Sequence, residues 1–275
     1  MSRALYRFFP REHGATAMLL TSFAAAAVLA RTARWQEGAA FVAVAVAFAM
    51  KDPLVVAARQ RWVWTEAHPE TRAAMHWLAA ETAIVAVCGL ALLATGPLIA
   101  YSVLFFGAAA FLALAVWVNV RNRQRAAMFQ VASALALTST SLAAALAAKG
   151  AVSSWCWWLW LLLAVQAAAG IFTVHARLDA RVAVRKSRGA GSAGMNPSRR
   201  PALLFAALLA LGGIATAVAG NYWIGSALLV AGIAYAWDLR RQLNLESLQT
   251  PLTKIGIQNL TLSLIYAALV VRGLW

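Results

Sequence analysis

Acidic side chains are scarce in this chain. Nine Asp and Glu stand against 24 Lys and Arg in 275 residues, a formal net charge of +15. Cysteine is scarcer still: Cys88 and Cys156 are the only two, each in an apolar stretch with no second Cys or His at ligand spacing. They read as small buried residues rather than as a disulfide or a metal site. The chain also lacks a Gly-rich phosphate loop, a Ser-His-Asp set and a Cys-rich metal motif, so the catalysis typical of soluble enzymes has no foothold. No aromatic-interleaved basic patch or nucleic-acid-binding motif accompanies the positive charge, and nucleic acid is not an expected partner. Charged residues make up only 12% of the chain, about half the share in a soluble domain.

Apolar sequence fills the space this leaves, at 63% of the residues. Runs bounded by charge, Gly or Pro give nine candidate spans, near 14–30, 37–50, 74–95, 97–119, 126–148, 154–174, 201–219, 221–237 and 255–272. A helix of about 20 residues crosses roughly 30 Å of hydrocarbon. The second and eighth spans are short and require tilt, local thinning or helical continuation into their flanks. The first run has no polar cleavage region after it and reads as a retained helix rather than a signal peptide. The expectation is an all-α, polytopic membrane protein of about nine transmembrane helices, forming one domain over residues 1–275.

Sidedness follows from the basic residues. Three Lys or Arg fall in 1–13, four in 51–73, three in 120–125, seven in 175–200 and three in 238–254, which places 20 of the 24 on one side. Arg31, Arg34, Lys149 and Arg272 fall on the other. The imbalance predicts a bacterial inner-membrane protein with its N-terminus in the cytoplasm and Trp275 outside. Trp155, Trp157, Trp158 and Trp160 open the sixth span on the outer side, where an interfacial aromatic belt accounts for them.

The longest polar interval, 175–200, carries Arg177, Arg181, Arg185, Lys186, Arg188, Arg199 and Arg200 against one carboxylate, Asp179. From His175 to Arg188 the charges recur every three to four residues, the spacing of a helix that leaves the bilayer with a basic face. Basic intervals also follow the second span, with Arg59, and the fourth, with Arg121 and Arg125. Arginine presents a planar fork of donors suited to phosphate. Arg59, Arg121, Arg125, Arg177 and Arg181 are therefore the candidate wall of a site for an anionic head group facing the cytoplasm. Arg11 and His13, in the first turn of the first helix, complete that basic set. Glu81 lies about two turns into the third span. An acid at that depth costs a few kcal/mol unless it is paired or neutral, which makes it a functional candidate. His13, His76 and His175 fall near the same boundary, but no pair has the spacing of a four-helix cytochrome, and haem is not expected.

Asp52-Pro-Leu-Val-Val-Ala-Ala-Arg-Gln-Arg61 and Asp179-Ala-Arg-Val-Ala-Val-Arg-Lys-Ser-Arg188 share an Asp, a Val three residues on and an Arg nine residues on. Nine spans, an inside N-terminus and polar loops after spans two and six resemble the UbiA-type intramembrane prenyltransferases. In that family the two loops carry aspartate-rich motifs that hold Mg²⁺ on an isoprenoid diphosphate. The resemblance implies Asp52 and Asp179 as candidate catalytic residues, with Lys51 and Arg59 beside the first, and Mg²⁺ as the cofactor of an enzyme reading. This chain has one Asp per loop where that family's motifs have several. Arg121-Asn-Arg-Gln-Arg125 with Gln130 is similar to the basic and Gln elements through which UbiA-type enzymes contact diphosphate.

Pro10-Arg-Glu-His-Gly14, running into an apolar helix, resembles the opening of the YwiC-like family of bacterial membrane proteins, and Lys254-Ile-Gly-Ile-Gln258 resembles its end. The combined expectation is a YwiC-like protein with a UbiA-like bundle. It binds a membrane lipid or isoprenoid-diphosphate-like molecule through Arg11, His13, Lys51, Arg59, Arg121, Arg125, Gln130, His175, Arg177 and Arg181, and needs no metal or cofactor. The alternatives are a divergent Mg²⁺-dependent prenyltransferase and a proton-coupled transporter using Glu81.

Overall fold

A computed structural model describes residues 13–66, 68–186 and 197–275. Among these residues the secondary structure is helical throughout, with no strand. Residues 1–157 and 158–275 form two compact units, and the division falls in the first turn of a long helix. Among the described residues, eight helical segments are long and apolar enough to cross a membrane, and a shorter apolar helix precedes them. Large apolar side chains such as Val87, Leu90, Ile99 and Phe106 are exposed along these segments. In water such faces would drive aggregation; against lipid tails they cost nothing. The chain is an all-α, multi-pass membrane protein.

The first unit holds α1 (His13–Ala30), α2 (Trp35–Ala49), α3 (Lys51–Trp62), α4 (Thr71–Thr95), α5 (Leu98–Val120), α6 (Ala127–Thr138) and α7 (Thr140–Lys149). Its centre is α7, buried from Thr140 to Leu142 and from Ala144 to Ala148 and packed against α1 and α2. Alanines let backbones approach closely, which is how helices associate where apolar burial gives little drive. The join between α6 and α7 is a run of four hydroxyl residues. Thr138, Ser139, Thr140 and Ser141 each donate to a carbonyl three or four residues back, at 2.7–2.8 Å. Such back-bonding bends a helix without leaving the carbonyls unsatisfied. Thr140 also donates to the Leu19 carbonyl at 3.2 Å, tying α7 to α1.

Residues 51–73, expected as an inner loop, are helical through Trp62 and again from Thr71. Pro53 explains both the break and the continuation. Its ring clashes with the carbonyl four residues back and interrupts the helix at Met50, yet in the first turn of α3 its missing N–H is harmless. Asp52 near the start and Arg59 and Arg61 in the last turn complement the helix dipole. Together α2 and α3 make one bent 28-residue segment from Trp35 to Trp62. At the other end of α2, Glu37 accepts from the Arg34 backbone N–H at 3.0 Å and from Thr32 at 3.1 Å, so this acid serves as a cap.

The second unit holds α8 (Ser154–Lys186) except its first turn, α9 (Arg199–Val218), α10 (Tyr222–Arg241), α11 (Leu245–Leu248) and α12 (Leu252–Leu274). With 33 residues, α8 runs about 50 Å and carries the sequence's basic face straight out of its apolar part. Helices α9 and α10 are packed backbone to backbone through glycine. A Cβ on Gly225 would stand 2.9 Å from the Ala217 nitrogen, and one on Gly213 would stand 2.8 Å from the Leu229 nitrogen. The turn between them uses Gly220 at φ +91°. There Asn221 accepts from Ile224 N–H at 3.1 Å and donates to the Gly273 carbonyl at 3.0 Å, fastening the end of α12. Deeper in the unit Gln166 donates to Tyr235 at 2.7 Å and to Ser263 at 3.0 Å, joining α8, α10 and α12 by hydrogen bonds that hydrocarbon cannot compete for.

Candidate functional site

Arg177 and Arg181 lie one turn apart on one face of α8, the geometry of an i, i+4 pair. Arg177 is only 3% exposed. Its guanidinium forms an ion pair with Asp238 at the end of α10 and donates to the Ser247 carbonyl at 2.7 Å. Gln242, one turn beyond Asp238, donates to the second Asp238 oxygen at 2.9 Å and to the Thr173 carbonyl at 3.2 Å. Both carboxylate oxygens are thus engaged, and the fork of Arg177 is held rigidly. Arg181 donates to the Thr250 carbonyl. The Nε atoms of both arginines are buried and make no hydrogen bond within the protein. Two guanidinium groups against one carboxylate leave local positive charge, and the spare donors need acceptors.

Asp179 sits between these arginines in sequence but about 200° around the helix from Arg177, on a different face. It accepts from Ser198 at 2.5 Å, which anchors the residues leading into α9. His175 is half-buried on the same helix.

The first unit has a second polar group where α3 packs against α4 and α5. Arg59 donates to the Asn119 carbonyl at 3.3 Å and to the Asn122 side chain at 3.2 Å. Asn122 takes φ +55° in the turn after α5, a left-handed conformation that asparagine tolerates better than most residues. This turn exposes Arg121 and Arg125. The Arg121 guanidinium lies 4.3 Å from the Trp117 ring centroid, a cation–π contact. Gln130 is half-buried one turn into α6. Lys51 lies 3.8 Å from the Asp52 carboxylate and 5.9 Å from the Phe48 ring centroid. On α4, Glu81 is 7% exposed and its Oε2 makes no hydrogen bond within the protein.

The structure therefore joins Arg59 to the turn carrying Arg121 and Arg125, and joins Arg177 to Arg181. Asp52 is in the first unit and Asp179 in the second, and among the described residues no group of three His, Cys, Asp or Glu stands together as metal ligands would. Arg11 and the side chain of His13 lie outside the described residues. Sequence reasoning missed Asp238, Gln242, Asn122 and the carbonyls of Ser247 and Thr250. Asp238 had one signal, an acid directly following an apolar span and therefore in need of a cation. Its partner, 61 residues away, had none.

No curated protein and no solved structure matches the chain. The family model described as YwiC-like protein matches residues 9–146. The match takes in the Pro10–Gly14 patch and falls within the first unit, and Lys254–Gln258 lies beyond it. Since it spans just over half of the residues and the fold is that of a multi-pass membrane protein, the chain belongs to the YwiC-like family.

Proposed function

We propose that this YwiC-like protein binds an anionic lipid or isoprenoid-diphosphate-like ligand from the cytoplasmic side of the bacterial inner membrane. One observation carries the reading: Arg177 and Arg181 are adjacent, and each keeps a buried Nε hydrogen that no protein atom accepts. A phosphate or diphosphate oxygen is the acceptor a guanidinium edge fits best. On the sequence's imbalance of Lys and Arg, Arg59, Arg121, Arg125, Lys51, Gln130, Arg11 and His13 of the first unit and His175 of the second fall on the cytoplasmic side and are further candidates for head-group contact. The cytoplasmic placement rests on the imbalance of Lys and Arg, and the UbiA-like arrangement rests on the resemblance of the loops.

The test is ligand-dependent stability of the full chain in mild detergent. A prenyl diphosphate or phosphatidylglycerol at about a hundred times its Kd is expected to stabilise the protein by about 2.7 kcal/mol, while an uncharged prenyl alcohol is expected to do nothing. Arg181→Lys keeps the charge but removes the Nε edge, and is expected to abolish most of the effect. Equal stabilisation by the prenyl alcohol, or an undiminished effect in Arg181→Lys, contradicts the reading.

Glu81 supports a second reading, proton-coupled transport of a small molecule. A buried acid with an unsatisfied oxygen in a membrane-spanning helix is stable only when it carries a proton or meets a cation. The prenyltransferase alternative, with Asp52 and Asp179 holding Mg²⁺, rests on the resemblance alone.

A further inference from the structure

We propose that the Arg177–Arg181 site selects a singly charged phosphodiester head group, that of a bilayer phospholipid, over a phosphomonoester or a prenyl diphosphate. The proposal rests on the reading of this pair as an anion site and names the charge class that it takes. Both guanidinium groups are turned toward one short stretch of chain. Arg177 donates to the Ser247 carbonyl at 2.7 Å, and Arg181 donates to the Thr250 carbonyl. Side chains one turn apart on a helix have Cβ atoms about 5–6 Å from each other, so one phosphate group is within reach of both.

The charges and the donors left over here both fit a diester. Two guanidinium groups face one carboxylate, Asp238, whose oxygens are taken by Arg177 and Gln242. One positive charge remains, in a place enclosed enough that Arg177 is only 3% exposed. Two buried nitrogens remain without an acceptor, the Nε of each arginine. A phosphodiester spreads one negative charge over two non-bridging oxygens and matches both counts. A phosphomonoester or a diphosphate brings further negative charge, and an enclosed charge without a partner is costly. The carbonyl oxygens of Ser247 and Thr250, already on the pair, repel additional anionic oxygens. Arg185, Arg240, Arg241 and Glu246 are exposed, so water and salt screen them and they do not set the match. The site lies near the ends of α8 and α10 and just ahead of α12, where a membrane-spanning bundle meets head groups. Around it Leu243, Leu245 and Leu252 are exposed, apolar surface that acyl chains cover and free phosphate does not.

Native mass spectrometry of the full chain in mild detergent, without divalent cations, tests the selection. The probes are dioleoylphosphatidylglycerol, phosphatidic acid with the same acyl chains, and geranylgeranyl diphosphate. Phosphatidylglycerol is expected to bind at least about 10-fold more tightly than either other probe. Arg181→Lys should lose most of that binding, and excess inorganic phosphate should not displace the lipid. Displacement by inorganic phosphate would overturn the assignment to a lipid. If phosphatidic acid or geranylgeranyl diphosphate binds as tightly as phosphatidylglycerol and Arg181→Lys weakens it, the charge match is overturned while the anion site stands. If no probe binds, or Arg181→Lys weakens none, the anion reading and this selection fail together.

Discussion

Gly232→Leu is expected to take the second unit apart at the α9–α10 pair. A Cβ at this position would stand 2.8 Å from the Ala210 nitrogen and 2.9 Å from the Ala206 carbonyl oxygen. Both obstacles are backbone atoms, so no side-chain rotation relieves the clash. Overpacking a tight core costs about 1–3 kcal/mol when neighbours can shift. Here the helices themselves have to separate, which removes the contact through which they associate. The expected result is loss of monodisperse protein on size exclusion in mild detergent, or an unfolding midpoint at least about 10 °C lower. Gly256→Ala is the matched control, because a Cβ there meets nothing within 4 Å. An intact Gly232→Leu protein would show that α9 and α10 do not meet along this seam.

The second large effect concerns the ion pair of Arg177 and Asp238. Removing one member of a buried pair leaves an uncompensated charge, at a cost of about 3–5 kcal/mol. Asp238→Asn should therefore lower stability by about 3 kcal/mol, since Arg177 is almost wholly enclosed while Asp238 retains some exposure. The Arg177→Met, Asp238→Leu double variant should recover most of the loss, as apolar replacements of buried pairs commonly do. If Asp238→Asn is neutral and the double variant is the less stable of the two, the pair is not the fastening that its geometry indicates.

The apolar architecture was legible in the sequence because lipid imposes it: every backbone group must be satisfied within a helix, so long apolar runs are helices. Helix α5 runs Leu98–Val120 where the sequence places a span at 97–119, and α9 runs Arg199–Val218 against 201–219. The reading went astray where charge was taken to mark the end of a helix. Lys51, Asp52, Arg59 and Arg61 sit on α3, which continues α2 past Pro53 and supplies the extra length that the short second span required. A proline in a first turn permits this, but its register cannot be read from a charge count.

The candidate site was legible as residue types and not as contacts. Arg177 and Arg181 stand out through their density and helical spacing on α8, and Glu81 through its isolation in an apolar run. What holds them was hidden. Asp238 meets Arg177 only because α10 packs in the same unit as α8, and the carbonyls of Ser247 and Thr250 are backbone atoms to which any residue type contributes equally.

Native mass spectrometry of the full chain released from mild detergent, with every retained small molecule identified, tests the binding claim most directly. The account predicts a retained phosphate-bearing lipid or prenyl diphosphate on the unmodified protein, and its loss in Arg181→Lys with the fold intact. A bare protein mass after purification from its own membrane, or an anionic lipid retained equally by Arg181→Lys, would contradict it.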